Sequence, residues 1–286
     1  MISERKARIG GLTFLFSGWL PQEAERENLP LFFTADGAPD IRVSIKSVPD
    51  IAYPVGKKPD YASAYLRAYG CENETHRFYR RDREETGWDY AHVIYRNDLP
   101  DTLELQICES RLTWTFQQIL TCIGIEELLL RHDRAVLHSS WIEKDGKAIL
   151  FSGRSGIGKS TQAALWEKYR QASVRNGDRT LLRNVDGVEY ACGLPYAGTS
   201  GICTNTEAPI RAIVMLGQGK ENRLRRLEEL ASVKRLLSQM PVPKWNPKMI
   251  GQALDVASRV AAAVPIYELI CLPEESAVQL LDDALG

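Results

Sequence analysis

The sequence predicts a mixed α+β protein, with a β-rich amino-terminal domain over residues 1–110 and an α/β domain over residues 111–286. Three observations carry this. Short runs with apolar residues at alternate positions dominate the first part, as half-buried strands require. After residue 112 the apolar spacing lengthens to the three-and-four pattern of helices. Across 135–169 come a strand, a tight Asp-Gly turn, a returning strand, a glycine-rich segment and a helical run.

Residues 12–16 and 41–45 read as strands, the second with apolar side chains at every other position, and residues 102–107 alternate throughout. Residues 76–81 and 89–96 pair as a hairpin around the charged segment 82–87, itself read as a solvated turn. Pro21, Pro30, Pro39, Pro49, Pro54 and Pro59 fall at strand ends and loops. Phe116, Ile119, Leu120, Ile123 and Leu130 lie on one face of a helix leading to Arg131-His132. Residues 135–142 are a strand, Asp145-Gly146 a hairpin turn, and 147–152 the returning strand. A helix over 161–169 follows, then an apolar strand at 210–216. An amphipathic basic helix is expected over 223–240, stopped by Pro241 and Pro243. A helix at 248–264, a strand at 266–272 and a helix at 274–285 end the chain.

Composition bounds the function. The apolar fraction of 44% and charged fraction of 26% match an ordinary globular protein with a sizeable core. A formal charge of -1 argues against a general nucleic-acid or membrane-surface binder. No apolar run approaches the ~18 residues that span a bilayer, and residues 1–6 lack the apolar stretch of a signal peptide. The six cysteines are scattered, with no C-x-x-C pair. Reduced thiols in a cytoplasmic protein are therefore expected, not zinc or redox chemistry.

The strongest signal is Gly153-Arg154-Ser155-Gly156-Ile157-Gly158-Lys159-Ser160, followed by Thr161, which matches G-x-x-x-x-G-K-[ST]. Glycines let the backbone curl so that successive N–H groups point at phosphate oxygens, while the following helix presents its positive end. Lys159 would reach the β- and γ-phosphates, and the Ser160 hydroxyl would coordinate Mg²⁺. Such a match arises by chance in about one chain in a hundred of this length, and here a strand-like run precedes it and a helical run follows. ATP or another nucleoside triphosphate with Mg²⁺ is the expected ligand.

Enzymes with this loop need an acid to complete the Mg²⁺ shell. The strand at 210–216 ends in Gly217-Gln218 and does not supply one. The acidic candidates are Asp178 and Asp186, both within the ~30 residues that a helix and a strand would return to the loop. No N-K-x-D base-reading motif is present, which argues against a GTPase.

Residues 138–161, H-S-S-W-I-E-K-D-G-K-A-I-L-F-S-G-R-S-G-I-G-K-S-T, followed by Asn176-Gly177-Asp178-Arg179, resemble the catalytic core of the HPr kinase/phosphorylase family. That family is related in fold to ATP-dependent phosphoenolpyruvate carboxykinase. The HPr-kinase-like kinases of ribosomally made peptide clusters look closer still. The resemblance covers about half the chain. It implies Lys159 and Ser160 as phosphate and Mg²⁺ contacts, and Asp178 as the second acid of the family's pair, binding Mg²⁺ or orienting the acceptor. His138 matches the hairpin histidine beside the transferred phosphate. One position departs from the pattern: the first acid of the pair is Gly177 here, which puts the general base in question. The implied reaction is γ-phosphoryl transfer from ATP to a serine of a small protein or peptide. The family assembles as hexamers, and for this chain homo-oligomerisation stays open because the amino-terminal residues do not resemble that family's. The rival readings are a nucleotide-binding module with little or no turnover and a small-molecule kinase.

Other features have plainer alternatives. The segment 193–201, rich in glycine and hydroxyls, would either close over acceptor or phosphate or form a surface loop. Arg211 could neutralise charge during transfer. The basic run 220–226 would contact an acidic partner or form a solvated helix face. Trp114, Trp141 and Trp166 read as core residues, and His76, His92 and His132 as ordinary surface or core residues.

Overall fold

Alternating apolar residues organise the first part of the chain. The computed structural model describes residues 3–22, 28–52, 57–71, 73–81, 88–243 and 246–286, in two compact units, Met1–Ile125 and Glu126–Gly286. In the first, Phe14, Phe16, Ile41, Val43, Ile45, Leu103, Leu105 and Ile107 are all buried. The strands that carry them join an eight-stranded mixed sheet: β1 (Ser3–Ile9), β2 (Leu12–Gly18), β3 (Ile41–Ser47), β4 (Tyr61–Ala62), β5 (Leu66–Cys71), β6 (Glu74–Arg80), β7 (Asp89–Arg96) and β8 (Thr102–Ile107). Their order is β1-β2-β3-β8-β7-β6-β5-β4. The hairpin expected from 76–81 and 89–96 is β6–β7; the charged segment 82–87 and Pro54 lie outside the described residues. β1 has no counterpart in the sequence reading. Its Glu4, Arg5 and Arg8 face water and only Ala7 and Ile9 are buried, a charge-rich edge of the kind that discourages pairing with other chains.

The single helix expected over 116–130 is two helices, α1 (Phe116–Cys122) and α2 (Ile125–Arg131). α1 opens with a capping box: the Thr115 side chain accepts from the Gln118 N–H, and the Gln118 side chain accepts from the Thr115 N–H. It ends because Gly124 turns left-handed at φ +57°. The Tyr95 hydroxyl donates to the Ile123 carbonyl at 2.8 Å, and buried Arg77 donates to that hydroxyl at 2.9 Å. Apolar periodicity runs through this break and does not register it.

The second unit is organised by two long strands that each serve more than one partner. β9 (Arg134–Lys144) pairs with β10 (Lys147–Ser152) through residues 139–144. Through residues 134–138 it pairs with β12 (Arg179–Val185), and β11 (Ser173–Asn176) also joins it. β14 (Glu207–Gln218) pairs antiparallel with β13 (Val188–Cys192). Farther along, β14 runs parallel to β10 and to β16 (Ile266–Cys271). On β14, Ile213 and Met215 face a core completed by α4 (Glu229–Leu237) and α5 (Pro247–Ala263), through Leu236, Val256 and Val260. Val214 and Leu216 face the opposite core, completed by α3 (Lys159–Arg170) and α6 (Glu275–Leu285), through Trp166, Val278 and Leu281. A strand covered on both faces reads as the continuous apolar run seen at 212–216. Trp114, Trp141 and Trp166 are buried, as expected. Among the described residues no helix is long and apolar enough to cross a membrane.

The helix expected over 223–240 is replaced by a strand and a shorter helix. Arg223–Arg226 forms β15, antiparallel to β16. Leu224 packs into the α3–α6 core, and Arg225 pairs with the Glu268 carboxylate of β16 at 2.6 Å. Arg235 of α4 meets the same carboxylate. The basic run thus lies on a strand and not at a helix start. α4 itself begins with Glu229 in its first turn and carries Lys234 and Arg235 in its last, the arrangement that suits the macrodipole.

Because both faces of the β10–β14 layer are packed, truncation on either side is costly. Ile213→Ala is expected to lose about 2–5 kcal/mol and Phe151→Ala about 3–5 kcal/mol of stability. Urea unfolding of each variant checks this; a mild effect on one side would contradict burial of both faces.

Candidate functional site

β10 ends at Ser152, the glycine-rich segment 153–158 follows, and α3 begins at Lys159. The pairing of β9 decides what lies beside that segment. Ser152 pairs with Ser139, and His138, one residue earlier on β9, pairs with Arg179 at the start of β12. Asp178, just ahead of β12, is therefore carried to the same sheet end as the loop. Two bonds pin the junction: the Ser152 hydroxyl donates to the His138 carbonyl at 2.9 Å, and the Ser139 N–H donates to the Asp178 carbonyl at 3.0 Å.

The loop and α3 leave donors free for an anion. Gly158 is the N-cap at φ +116° and provides no side-chain cap, and the first turn carries no acidic residue. The first-turn N–H groups are thus available to a ligand. Lys159 is 8% exposed. Its ammonium donates to the carbonyls of Gly153 at 3.1 Å and Arg154 at 3.3 Å. Burial pulls its pKa below the ordinary lysine value, with the negative charge of Asp178 opposing.

Asp178 is shaped by its neighbours. Asn176, fully buried, accepts from the N–H groups of Asp178 at 3.0 Å and Arg179 at 3.1 Å, an Asx-type turn that aims the aspartate. Its amide donates to the Leu194 carbonyl at 3.1 Å, tying the turn to the 193–201 segment. The carboxylate lies 3.4 Å from His138 Nε2 and 3.6 Å from Arg179 Nε. The bond from His138 is the main reason its pKa sits below the usual carboxylate value; burial opposes, and the charges of His138, Arg179 and Lys159 add to the lowering. Arg179 is itself held by Glu126 and stacks on Tyr196 at 4.6 Å.

These groups enclose one cavity of about 260 Å³, lined by Ser155, Gly156, Gly158, Lys159, Ser160, Thr161, His138, Gly177, Asp178 and Thr199. Gly153, Arg154 and Ile157 line an adjoining cavity of about 290 Å³ with Met215, Leu216 and Gln218. A third, of about 340 Å³, shares His138 and Asp178 and continues past Arg179 to Ser238, Met240 and Pro241. Among the described residues no group of three or more His, Cys, Asp or Glu side chains could hold a metal ion by itself. Ser160 and Asp178 both line the first cavity, and a hydroxyl and a carboxylate are oxygen ligands of the kind Mg²⁺ takes, one or two from protein with phosphate and water completing its shell.

Other candidates lie elsewhere. Asp186 sits in the turn between β12 and β13, roughly 25 Å from Asp178 at strand rise, so it does not join the site. Arg211 is at the opposite end of β14 and donates to the Leu285 carbonyl at 2.7 Å. The 193–201 segment does reach the site: a Cβ on Gly177 would lie 1.8 Å from Ser200 Oγ, and one on Gly198 would lie 2.6 Å from Asp178 Cβ. Sequence reasoning passed over Asn176 and Arg179, although Asn ahead of Gly-Asp is itself a turn signal.

No known protein-family profile matches the chain, and no curated protein does. Among solved structures the chain is similar to the HPr(Ser) kinase/phosphatase from Coxiella burnetii, at 12% identity and a TM-score of 0.31, over 52% of this chain and 87% of that one. A likeness this distant carries no argument about the site.

Proposed function

We propose that this chain is an ATP- and Mg²⁺-dependent kinase of HPr-kinase-like type, transferring a γ-phosphoryl group to a hydroxyl, with serine of a small protein or peptide as the acceptor. One observation carries the reading: Lys159 and Ser160 of the glycine-rich loop share a single cavity with the His138–Asp178 pair. A loop alone supports nucleotide binding. A loop facing an ionised carboxylate and an imidazole supports group transfer.

The residues divide the work. The loop from Gly153 to Thr161 cradles the polyphosphate, and Lys159 exchanges its bonds to loop carbonyls for phosphate oxygens. Ser160 and Asp178 hold Mg²⁺, which when bound neutralises charge on the phosphoryl oxygens. His138 holds the Asp178 carboxylate and adds positive charge beside the transferred group when protonated. Asp178, kept ionised by its neighbours, orients the acceptor hydroxyl and receives its proton. Transfer is then mostly positioning and charge neutralisation. The domain of residues 111–286 would carry the nucleotide, and the β-rich domain of residues 1–110 would hold the acceptor.

A second reading, nucleotide binding without turnover, draws on Gly177, where the resembled family carries an acid. The position has no room for one, because Ser200 Oγ occupies the place of its Cβ. Gly177→Asp is therefore expected to destabilise the fold by about 1–3 kcal/mol through overpacking and not to raise activity. Thermal unfolding with an ATP turnover assay checks both.

Lys159→Ala should abolish ATP binding, whereas Asp178→Asn should retain ATP and lower phosphoryl transfer about 10²–10⁴-fold. Calorimetry and ³²P transfer to candidate peptides and lysate proteins separate these. Tight ATP binding with neither hydrolysis nor labelling in the wild type would overturn the kinase reading.

The pH profile follows from two signs. Asp178 has a lowered pKa, so it stays ionised, and turnover persists, below the pH at which an ordinary aspartate protonates. Lys159 also has a lowered pKa, so its charge, and with it ATP affinity, is lost at lower pH than for an ordinary lysine. Turnover and ATP affinity measured across pH check both limbs.

A further inference from the structure

We infer that Thr199 is a site of intramolecular phosphorylation, the hydroxyl that this chain's own transfer chemistry reaches first. The inference rests on the kinase reading and adds an acceptor to it.

Four hydroxyl residues line the loop cavity: Ser155, Ser160, Thr161 and Thr199. The first three belong to the loop and the start of α3, on the side that would hold the donor phosphates. Thr199 alone comes from the other side, on the segment between β13 and β14. That segment is pressed against Asp178, since a Cβ on neighbouring Gly198 would lie 3.2 Å from Asp178 Oδ1. The hydroxyl on the carboxylate side of a phosphate cavity is the one placed to be an acceptor.

The segment is also held there. Ser200 donates to the Ala197 carbonyl at 2.7 Å and accepts from the Ile202 N–H at 3.2 Å. The Gly177 N–H donates to the Ile202 carbonyl at 3.3 Å, and buried Asn176 donates to the Leu194 carbonyl at 3.1 Å. Ser200 thus uses its hydroxyl to shape the turn. Thr199 is exposed, and among the described residues its hydroxyl makes no hydrogen bond.

The step balances simply. Thr199 Oγ1 bonds to the γ-phosphorus of ATP, the bond from that phosphorus to the β–γ bridging oxygen breaks, ADP leaves, and the hydroxyl proton passes to the Asp178 carboxylate. Phosphothreonine adds about −1.5 to −2 charge at neutral pH, facing Lys159 and the start of α3, where the donor's own phosphate would sit. Modification therefore slows further turnover.

The test is intact-mass and peptide mass spectrometry of the full chain after incubation with Mg-ATP, beside Thr199→Val, Thr199→Ser and Lys159→Ala. Melting temperatures establish that each variant folds. Phosphate on residue 199 of the wild type and of Thr199→Ser is expected, at a rate independent of protein concentration, and absent from Thr199→Val and Lys159→Ala. ATP hydrolysis or transfer to another acceptor by the wild type, with Thr199 unmodified, would overturn the inference and leave the kinase reading standing. Absence of any turnover would remove both.

Discussion

The division of β9 between two partners is the constraint on which the site depends. Along residues 139–144 it pairs with β10, which delivers the glycine-rich loop; along residues 134–138 it pairs with β12, which delivers Asp178. His138 sits at the changeover. Two backbone carbonyls at this junction, of His138 and Asp178, are each engaged, and the buried Ser139 hydroxyl bonds Thr180 at 2.7 Å. Each such bond contributes only about 1 kcal/mol, but together they fix the register. A one-residue slip would turn His138 to the opposite face.

From that register the electrostatics follow. A carboxylate, an imidazole and a buried ammonium share one small cavity, and the charges of Asp178 and Lys159 bias each other's protonation. Asp178 stays charged because His138 and Arg179 flank its two oxygens. Lys159 is weakened by burial and partly restored by Asp178. The 193–201 segment completes the arrangement through contact between backbone and turn, which Gly177 and Gly198 allow by having no side chain. An acid at position 177 and the present course of this segment exclude one another. The glycine that departs from the resembled family's pattern thus has a steric cause within this chain.

Much of this was legible in the sequence, and the losses have physical reasons. The strands of 41–45, 102–107, 135–142 and 147–152 announced themselves because one pattern of burial covers their whole length. The loop was read from its residue types, Asp178 from its distance along the chain together with the resemblance to a family, and His138 from that resemblance. The break at Gly124 was hidden because the apolar positions on both sides share one helical face, while a tyrosine hydroxyl from β7 ends the first helix. The strand at Arg223–Arg226 was hidden because the acid that matches Arg225, Glu268, is distant in sequence. β1 is too charged to show alternation. Asp186 was close to the loop in sequence alone, and Arg211 only followed the 193–201 segment; strand direction carries both away from the site.

The central claim is that Asp178 and His138 face a phosphate bound at the loop. Paramagnetic broadening by Mn²⁺ with ATP, read on the backbone amides and histidine rings of the labelled chain, tests it directly. Strong broadening at Ser160, Asp178 and the His138 ring, with Asp186 unaffected, is the predicted result. Broadening at the loop that leaves Asp178 and His138 sharp would contradict it.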